Sequence, residues 1–191
     1  MIRRAVLGLA LLAVAASACA QAAFTLDQLM ADLAQHKGGR ARFVEKRYLS
    51  VLDKPVVASG EMTYSPPDRL EKRTLLPKSE TLVLDRDTLT MERDKRKLSI
   101  NLNSRPEAQA FVESIRSTLS GNRASLERSY SLQLKGSSNQ WVLTLVPVEP
   151  AILLLLQRIT VSGSKGQVRS IEYLQPDGDR TELTIEPLDS P

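Results

Sequence analysis

The chain has 191 residues, with 26 Lys and Arg, 22 Asp and Glu, one histidine and one cysteine. A net charge of +4 with 42% hydrophobic and 25% charged residues is typical of a folded soluble domain, which excludes a disordered chain and a bundle of membrane helices. One cysteine cannot form an internal disulfide, and one cysteine with one histidine cannot supply a Cys/His zinc site.

Residues 1–22 have the three parts of a secretory signal peptide. Two arginines precede an apolar run from Ala5 to Ala16, and Ala20-Gln21-Ala22 forms a small-x-small cleavage site. The run is shorter than the roughly 20 residues that a membrane-spanning helix needs. We therefore expect cleavage after Ala22, export to the Gram-negative periplasm, and a single mature domain over residues 23–191.

Cys19 allows a second interpretation of this segment. Ala16-Ser17-Ala18-Cys19 resembles the bacterial site for lipid attachment, with Ala16 where leucine is usual. If that site were used, Cys19 would become an acylated first residue that tethers the protein to a membrane. We favour cleavage after Ala22, which removes Cys19 and leaves no thiol to oxidise in the periplasm.

The mature chain is predicted to begin with a helix. Thr25 and Gln28 form a capping box, and Gly38-Gly39 ends the segment. Its apolar residues fall at helical spacing: Leu26, Leu29, Met30 and Leu33. From Arg40 the spacing changes to two, which indicates a strand.

Six strands are predicted before a second helix, at a spacing typical of an antiparallel meander. They begin at Arg40 and continue with residues 56–64, 70–75, 80–84, 88–92 and 97–102. Ser104-Arg105-Pro106-Glu107 then predicts a capping box and the start of the second helix, which ends at Gly121.

Five further strands are predicted after that helix. Apolar residues alternate over residues 130–134, 141–145, 159–161, 171–173 and 183–185. No helix separates successive strands, so the sheet of about eleven strands is expected to be antiparallel, with two main helices. The apolar segment Ile152–Leu156 leaves two interpretations open, a mobile flap at a cavity mouth or a buried helical turn between strands.

Common catalytic and nucleotide-binding motifs are absent from the sequence. There is no G-x-S-x-G, no Walker A pattern and no paired histidine. His36 follows the first helix, and the acid pairs Asp85/Asp87 and Asp177/Asp179 fall in predicted turns. We therefore expect neither enzyme activity nor a cofactor. A hydrolase that uses an unrecognised serine or acid pair is the least supported alternative, and would show a cleft with perturbed titrating groups.

Six short strings stand in an order and spacing that a known family shares. They are Ala41-x-Phe43-x-Glu45, Ser59-Gly60-Glu61-Met62-x-Tyr64-x-x-Pro67-Asp68, Pro77-x-x-x-Thr81-Leu82-Val83-Leu84-Asp85, Trp141-Val142-Leu143-Thr144-Leu145-x-Pro147, Ile159-Thr160-Val161 and Asp177-Gly178-Asp179-Arg180-Thr181. Over essentially the whole mature chain, this pattern resembles the LolA-like outer-membrane lipoprotein carriers. The resemblance implies an α+β fold: an incomplete, strongly curved antiparallel β-barrel whose open side is covered by two to three helices. It also implies an apolar cavity for acyl chains, without a catalytic residue or a metal.

Two positions depart from the pattern of those carriers. Pro66 stands where the carriers have an arginine that helps to hold the helical lid closed, so the lid is missing that latch or is held differently. The chain ends at Pro191, without the Phe- and Pro-containing tail that is linked to handing cargo onward. The cargo is therefore left open between a lipoprotein and another envelope lipid, such as an aryl-polyene or a glycolipid product.

The expected cavity lining consists of apolar residues, each of which would also suit a filled β core. They are Phe43, Met62, Tyr64, Leu84, Met91, Phe111, Ile115, Leu132, Trp141, Leu143, Leu153, Ile159, Ile171 and Leu183. The predicted function is that of a monomeric periplasmic carrier, which takes acyl chains from an inner-membrane donor to an outer-membrane acceptor. Nucleic acid is not expected as a partner, because no basic stripe interleaved with aromatic residues occurs. The alternative is a non-transporting envelope module that binds a protein partner through an exposed apolar patch.

Overall fold

A computed structural model describes residues 23–188, except for the side chain of Glu107. The predicted signal peptide, with Cys19, and the last three residues lie outside the described residues. Between residues 23 and 188, no helix is long and apolar enough to cross a membrane.

Within the described residues, eleven strands form a single antiparallel sheet that does not close into a complete barrel. The strands are β1 (Gly39–Tyr48), β2 (Val56–Ser65), β3 (Arg69–Leu76), β4 (Glu80–Asp85), β5 (Thr88–Arg93), β6 (Arg96–Asn101), β7 (Tyr130–Ser137), β8 (Gln140–Pro147), β9 (Arg158–Ser164), β10 (Gln167–Leu174) and β11 (Arg180–Pro187). Their order is β6-β5-β4-β3-β2-β1-β11-β10-β9-β8-β7, so β6 and β7 are the two edges. The predicted incomplete antiparallel barrel is thereby confirmed.

Four α-helices and one 3₁₀ turn accompany the sheet. They are α1 (Leu26–Ala34), the 3₁₀ turn (Leu102–Ser104), α2 (Pro106–Leu119), α3 (Arg123–Ser129) and α4 (Pro150–Leu153). The sequence did not predict α3, because Leu126 is its one large apolar residue and a single residue gives no helical period. Asn122 caps α3 by accepting a hydrogen bond from the Ser125 backbone amide.

The two predicted capping boxes have different outcomes. At α1 the box is confirmed, since Thr25 Oγ1 accepts from the Gln28 amide at 3.2 Å and Gln28 Oε1 accepts from the Thr25 amide at 2.9 Å. At α2 it is wrong, because the N-cap is Arg105 and makes no side-chain capping bond. Ser104 belongs to the preceding 3₁₀ turn, where its hydroxyl donates to the carbonyl of Asn101 at 2.7 Å.

Strand register divides the sheet into an inner apolar face and an outer polar face. Phe43 on β1 is 2% exposed and is aligned with Gly60 on β2 and Ile185 on β11. Side chains that are paired across strands share a face, so this row identifies the inner face of the whole sheet. The neighbouring positions Arg42 and Val44 point outward and are exposed.

The inner face of β7–β11 is a filled core. Trp141, Leu143 and Leu145 on β8 have no exposed surface, and Trp141 Nε1 donates to the Lys165 carbonyl at 2.7 Å. Helix α1 adds Leu29 and Leu33 to the same cluster. On the other half, a smaller cluster joins Leu84 on β4 to Leu102 and Val112. The two halves of the sheet are therefore covered unequally.

Candidate functional site

In the half formed by β7–β11, the cavity beneath α2 is small, and a larger open groove lies outside it between α1 and the β7–β8 turn. The cavity between α2 and strands β9 and β10 has a volume of about 10 Å³. Its lining includes Ile115, Ile159 and Ile171. A space of that size holds about one water molecule, so an acyl chain cannot enter here unless α2 moves.

The half formed by β2–β6 leaves a row of apolar side chains uncovered. Leu82, Met91 and Leu98 are aligned across β4, β5 and β6 on the inner face. Leu82 and Met91 are half-buried, Leu98 is 53% exposed, and none of the three belongs to either core cluster. We call Leu82, Met91 and Leu98 the open row. On the same face, the alignment continues from Leu82 to Lys72 on β3 and then to Met62 on β2.

A charged pair lies at the inner end of the open row. Glu45 on β1 is 5% exposed, and its Oε2 accepts a hydrogen bond from Lys72 Nζ. Its other oxygen accepts from Arg47 Nε at 2.8 Å. Lys72 Nζ also lies 4.9 Å from the centroid of the Phe43 ring. No side chain stands between Phe43 and β3 on this face, because Gly60 occupies that position.

The electrostatics of this pair favour the charged carboxylate. Burial by itself raises the pKa of Glu45, but the hydrogen bond and charge of Lys72, together with Arg47, lower it below its usual value. Tyr173 is the neighbouring titratable group, and burial raises the pKa of its hydroxyl, with the Glu45 carboxylate adding to that effect. The Tyr173 ring contacts Phe111 of α2 at 4.9 Å, which places the charged pair close to that helix.

Arg116 connects α2 to the far end of the open half. Its guanidinium donates to the Arg86 carbonyl in the β4–β5 turn and lies 3.8 Å from Asp68 Oδ1 in the β2–β3 turn. The two turns are themselves joined, since the Arg86 amide donates to the Asp68 carbonyl at 3.3 Å. An arginine on the helix thus contacts the turn that contains Pro66.

Tyr64 lies beside this contact. Burial raises the pKa of Tyr64, with the nearby Asp68 carboxylate adding to the rise and Arg116 opposing it. Its hydroxyl is buried and has no hydrogen-bond partner within the described part of the chain. Arg116 Nε is also buried without a hydrogen-bond partner in the described residues, so the contact between α2 and the two turns contains two unsatisfied polar atoms.

The opposite end of the barrel carries an apolar rim. Strands β1, β3 and β8 run in the same direction, so the segments that follow them lie at one end of the sheet. The apolar rim consists of residues on these segments, together with the last residue of β3, that are 49–85% exposed: Val51, Leu52, Leu76, Val148, Leu154 and Leu155. Such an accumulation at one end of a small domain indicates a contact surface.

The predicted lining residues are not all in one place. Phe43, Trp141, Leu143, Ile159, Ile171 and Leu183 are buried in the main core cluster, and Leu84 is buried in the smaller one. Met62, Tyr64, Met91, Phe111, Ile115 and Leu132 are half-buried. Leu153 is 40% exposed and lies next to the apolar rim. In the segment 152–156, Ile152 and Leu156 are buried as a helical turn requires, whereas the three leucines between them are exposed.

Sequence reasoning missed Lys72, Glu45 and Arg116 as site residues. For Glu45 and Lys72 the sequence did contain a signal. Glu45 falls at every second position with Ala41 and Phe43 on one strand, and Lys72 does so with Leu70 and Thr74 on another. Period-two alternation puts each charged residue on the apolar face. No comparable signal existed for Arg116, because its contacts are with turns that are 30 and 48 residues away in the sequence.

A search of solved structures found distant similarities to several proteins of the bacterial cell envelope. A LolA superfamily protein from Nitrosomonas europaea covers 86% of this chain and 93% of its own, with 9% identity and a TM-score of 0.43. A lipoprotein-sorting domain from Vibrio parahaemolyticus covers 84% and 88%, with 10% identity and a TM-score of 0.43. A chain of the Pseudomonas aeruginosa MucA/MucB complex matches 87% of this chain over 56% of its own length, with 16% identity and a TM-score of 0.46.

No curated protein matches the sequence. The sequence profile described as "outer membrane lipoprotein carrier protein LolA-like" matches residues 16–186, which is most of the chain. The order of helices and strands and the uncovered inner face are in keeping with that match. The chain therefore belongs to the outer membrane lipoprotein carrier protein LolA-like family.

Proposed function

We propose that the protein is a non-enzymatic carrier of the cell envelope that binds acyl chains on the inner face of β2–β6, beneath α2. The observation that carries the proposal is the open row, which presents Leu82, Met91 and Leu98 without covering side chains from either core cluster. Moving an acyl chain from water onto such a surface gains about 0.8 kcal/mol per buried CH₂ group. That gain needs neither a cofactor nor a catalytic residue.

In this proposal α2 is a lid and Arg116 is its latch. Opening the lid would break the contacts of Arg116 with Arg86 and Asp68 and expose Phe111 and Val112. The open row would then be continuous with the helix-covered part of the inner face. Of the residues predicted to line the cavity, Met62, Tyr64, Leu84, Met91 and Phe111 would contact the cargo in this arrangement. Those packed around Trp141 would remain a scaffold.

The cargo would be the acyl chains of a lipoprotein or of another envelope lipid. The protein would receive it from an inner-membrane donor and deliver it to an outer-membrane acceptor, as a monomer in the periplasm. The apolar rim would surround the entrance, because it lies at one end of the same inner face. Cleavage after Ala22 remains part of the proposal.

The test is native mass spectrometry of the protein expressed from its full-length reading frame and purified without detergent. We expect a co-purifying acyl species that solvent extraction identifies. Met91→Arg, which places a charge on the open row, should abolish it. Ser99→Arg is the matched control, since Ser99 lies on the outer face of the same hairpin. A protein at its bare mass that also fails to take up a fluorescent fatty acid would contradict the carrier function.

A second candidate function is favoured by the filled core and the apolar rim. A module that binds a protein partner needs no cavity, and the exposed leucines at 154 and 155 would be its contact surface. The two functions differ in the predicted effect of Met91→Arg. If the protein is a carrier, Met91→Arg removes the bound lipid. If it is a partner-binding module, only substitutions in the apolar rim affect binding of the protein partner.

A further inference from the structure

The charged pair at the inner end of the open row is out of place on an apolar surface. Within residues 23–188, the inner face of β1–β3 around it presents Ala41, Phe43, Met62 and Leu70. Placing charges there has a desolvation cost, which a packed apolar pair would avoid. A role in ligand binding would account for keeping them.

Lys72 keeps donor capacity that the protein does not use. An ammonium group has three N–H donors, and within residues 23–188 Glu45 is the one hydrogen-bond acceptor that Lys72 contacts. The Lys72 side chain is 21% exposed and lies in line with Leu82 of the open row, so it is not sealed within the core. Its position over the Phe43 ring leaves it partly desolvated, where electrostatic attraction is stronger than in water.

The local charge is positive rather than balanced. Glu45 is shared by two cations, Lys72 and Arg47, which leaves one positive charge in excess. Further along the inner face, Arg93 lies 3.7 Å from both Glu80 and the turn residue Asp94, and Arg96 is a further cation. An anionic group could therefore bind without leaving an uncompensated negative charge on the apolar face.

We propose that Lys72 is the binding site for the oxyanion head of an acyl lipid, a carboxylate or a phosphate, whose chain lies along the open row. This inference rests on the proposed carrier function and names the class of its cargo. From Lys72 on β3 to Leu98 on β6, the row crosses three strand spacings, roughly 14 Å. Glu45 competes with the oxyanion head for the Lys72 ammonium group. This competition weakens binding of the ligand until the oxyanion displaces the Glu45 carboxylate from Lys72.

The test compares three ligands with the same sixteen-carbon chain: palmitate, hexadecyl phosphate and hexadecanol. Affinities are measured on the full-length chain by displacement of a neutral fluorescent acyl probe. We expect the two anionic ligands to bind about tenfold or more tightly than the alcohol, which is the size of one hydrogen bond to a charged group. The ratio between palmitate and hexadecyl phosphate then distinguishes a carboxylate from a phosphate head.

Two substitutions should change anion binding in opposite directions. Lys72→Met should reduce palmitate affinity to that of hexadecanol, and Glu45→Gln should increase it by removing the competing carboxylate. Lys46→Met is the matched control, because Lys46 is exposed on the outer face of β1. If Lys72→Met fails to fold, the double variant Glu45→Gln/Lys72→Met removes both charges and should bind hexadecanol like the wild type while losing the preference for anions.

The outcomes separate this inference from the carrier function. Equal wild-type affinities for the alcohol and the two anions would overturn the oxyanion site while leaving the carrier intact. A shift of palmitate affinity in the same direction by Lys72→Met and Glu45→Gln would also overturn it, since a merely structural pair behaves in that way. Failure of all three ligands to bind would overturn the carrier function, and the inference with it.

Discussion

The most direct test of the lid is Arg116→Met, which removes the guanidinium and keeps a flexible apolar chain. Arg116 is 16% exposed at its side chain, and its contact with the Arg86 carbonyl is a hydrogen bond from a charged donor. Such a bond contributes about 1.5–3 kcal/mol, whereas Asp68, 3.8 Å away and 42% exposed, adds little. We therefore expect the closed position of α2 to lose about 2 kcal/mol, roughly thirtyfold in its opening equilibrium.

The assay is amide hydrogen exchange followed by mass spectrometry. In Arg116→Met, residues 106–119 should exchange about thirtyfold faster while α1 stays unchanged. Arg123→Met is the control, since Arg123 pairs with Asp27 and Glu127 among the helices and does not contact the turns of the sheet. Unchanged exchange across α2 in Arg116→Met would refute the latch.

Three further predictions concern the core, the charged pair and the apolar rim. In urea titrations, Leu143→Ala should lower the free energy of unfolding by about 2–5 kcal/mol, whereas Leu98→Ala should lower it by at most about 0.5 kcal/mol. Equal losses of stability would contradict the unequal packing of the two halves of the sheet. Folding lowers the pKa of Glu45 from its usual value of 4.5. The stability that the Glu45 carboxylate contributes to the folded protein is therefore present above pH 4.5 and is lost as the pH falls through the folded-state pKa. Acid denaturation of Glu45→Gln should therefore be less steep than that of the wild type, and identical curves would speak against a buried charged carboxylate. Leu154→Ser should leave the melting temperature unchanged but slow acyl-probe uptake from vesicles, and unaltered uptake would argue that the rim is not the entrance.

The sequence by itself determined the eleven strands, their antiparallel pairing and two of the helices. Period-two alternation and the regular spacing of short apolar runs located the eleven strands, because a half-buried antiparallel sheet alternates apolar and polar residues and turns at short intervals. Thr25 and Gln28 located the first helix through a local interaction that needs no tertiary partner. Helix α3 was missed for the converse reason, since its one buried leucine is held by packing rather than by a pattern.

Only the tertiary structure decided which inward-facing residues are core and which are open. Leu143 and Met91 are both apolar and inward on their strands, but Leu143 is fully buried in the main core cluster, whereas Met91 is half-buried and belongs to neither core cluster. Arg116 and the pairing of Glu45 with Lys72 likewise depend on contacts between residues 27 or more positions apart. The alternation of apolar and polar residues specifies which side chains lie on the inner face of the sheet. Whether those side chains are buried depends on where other segments of the chain pack across that face.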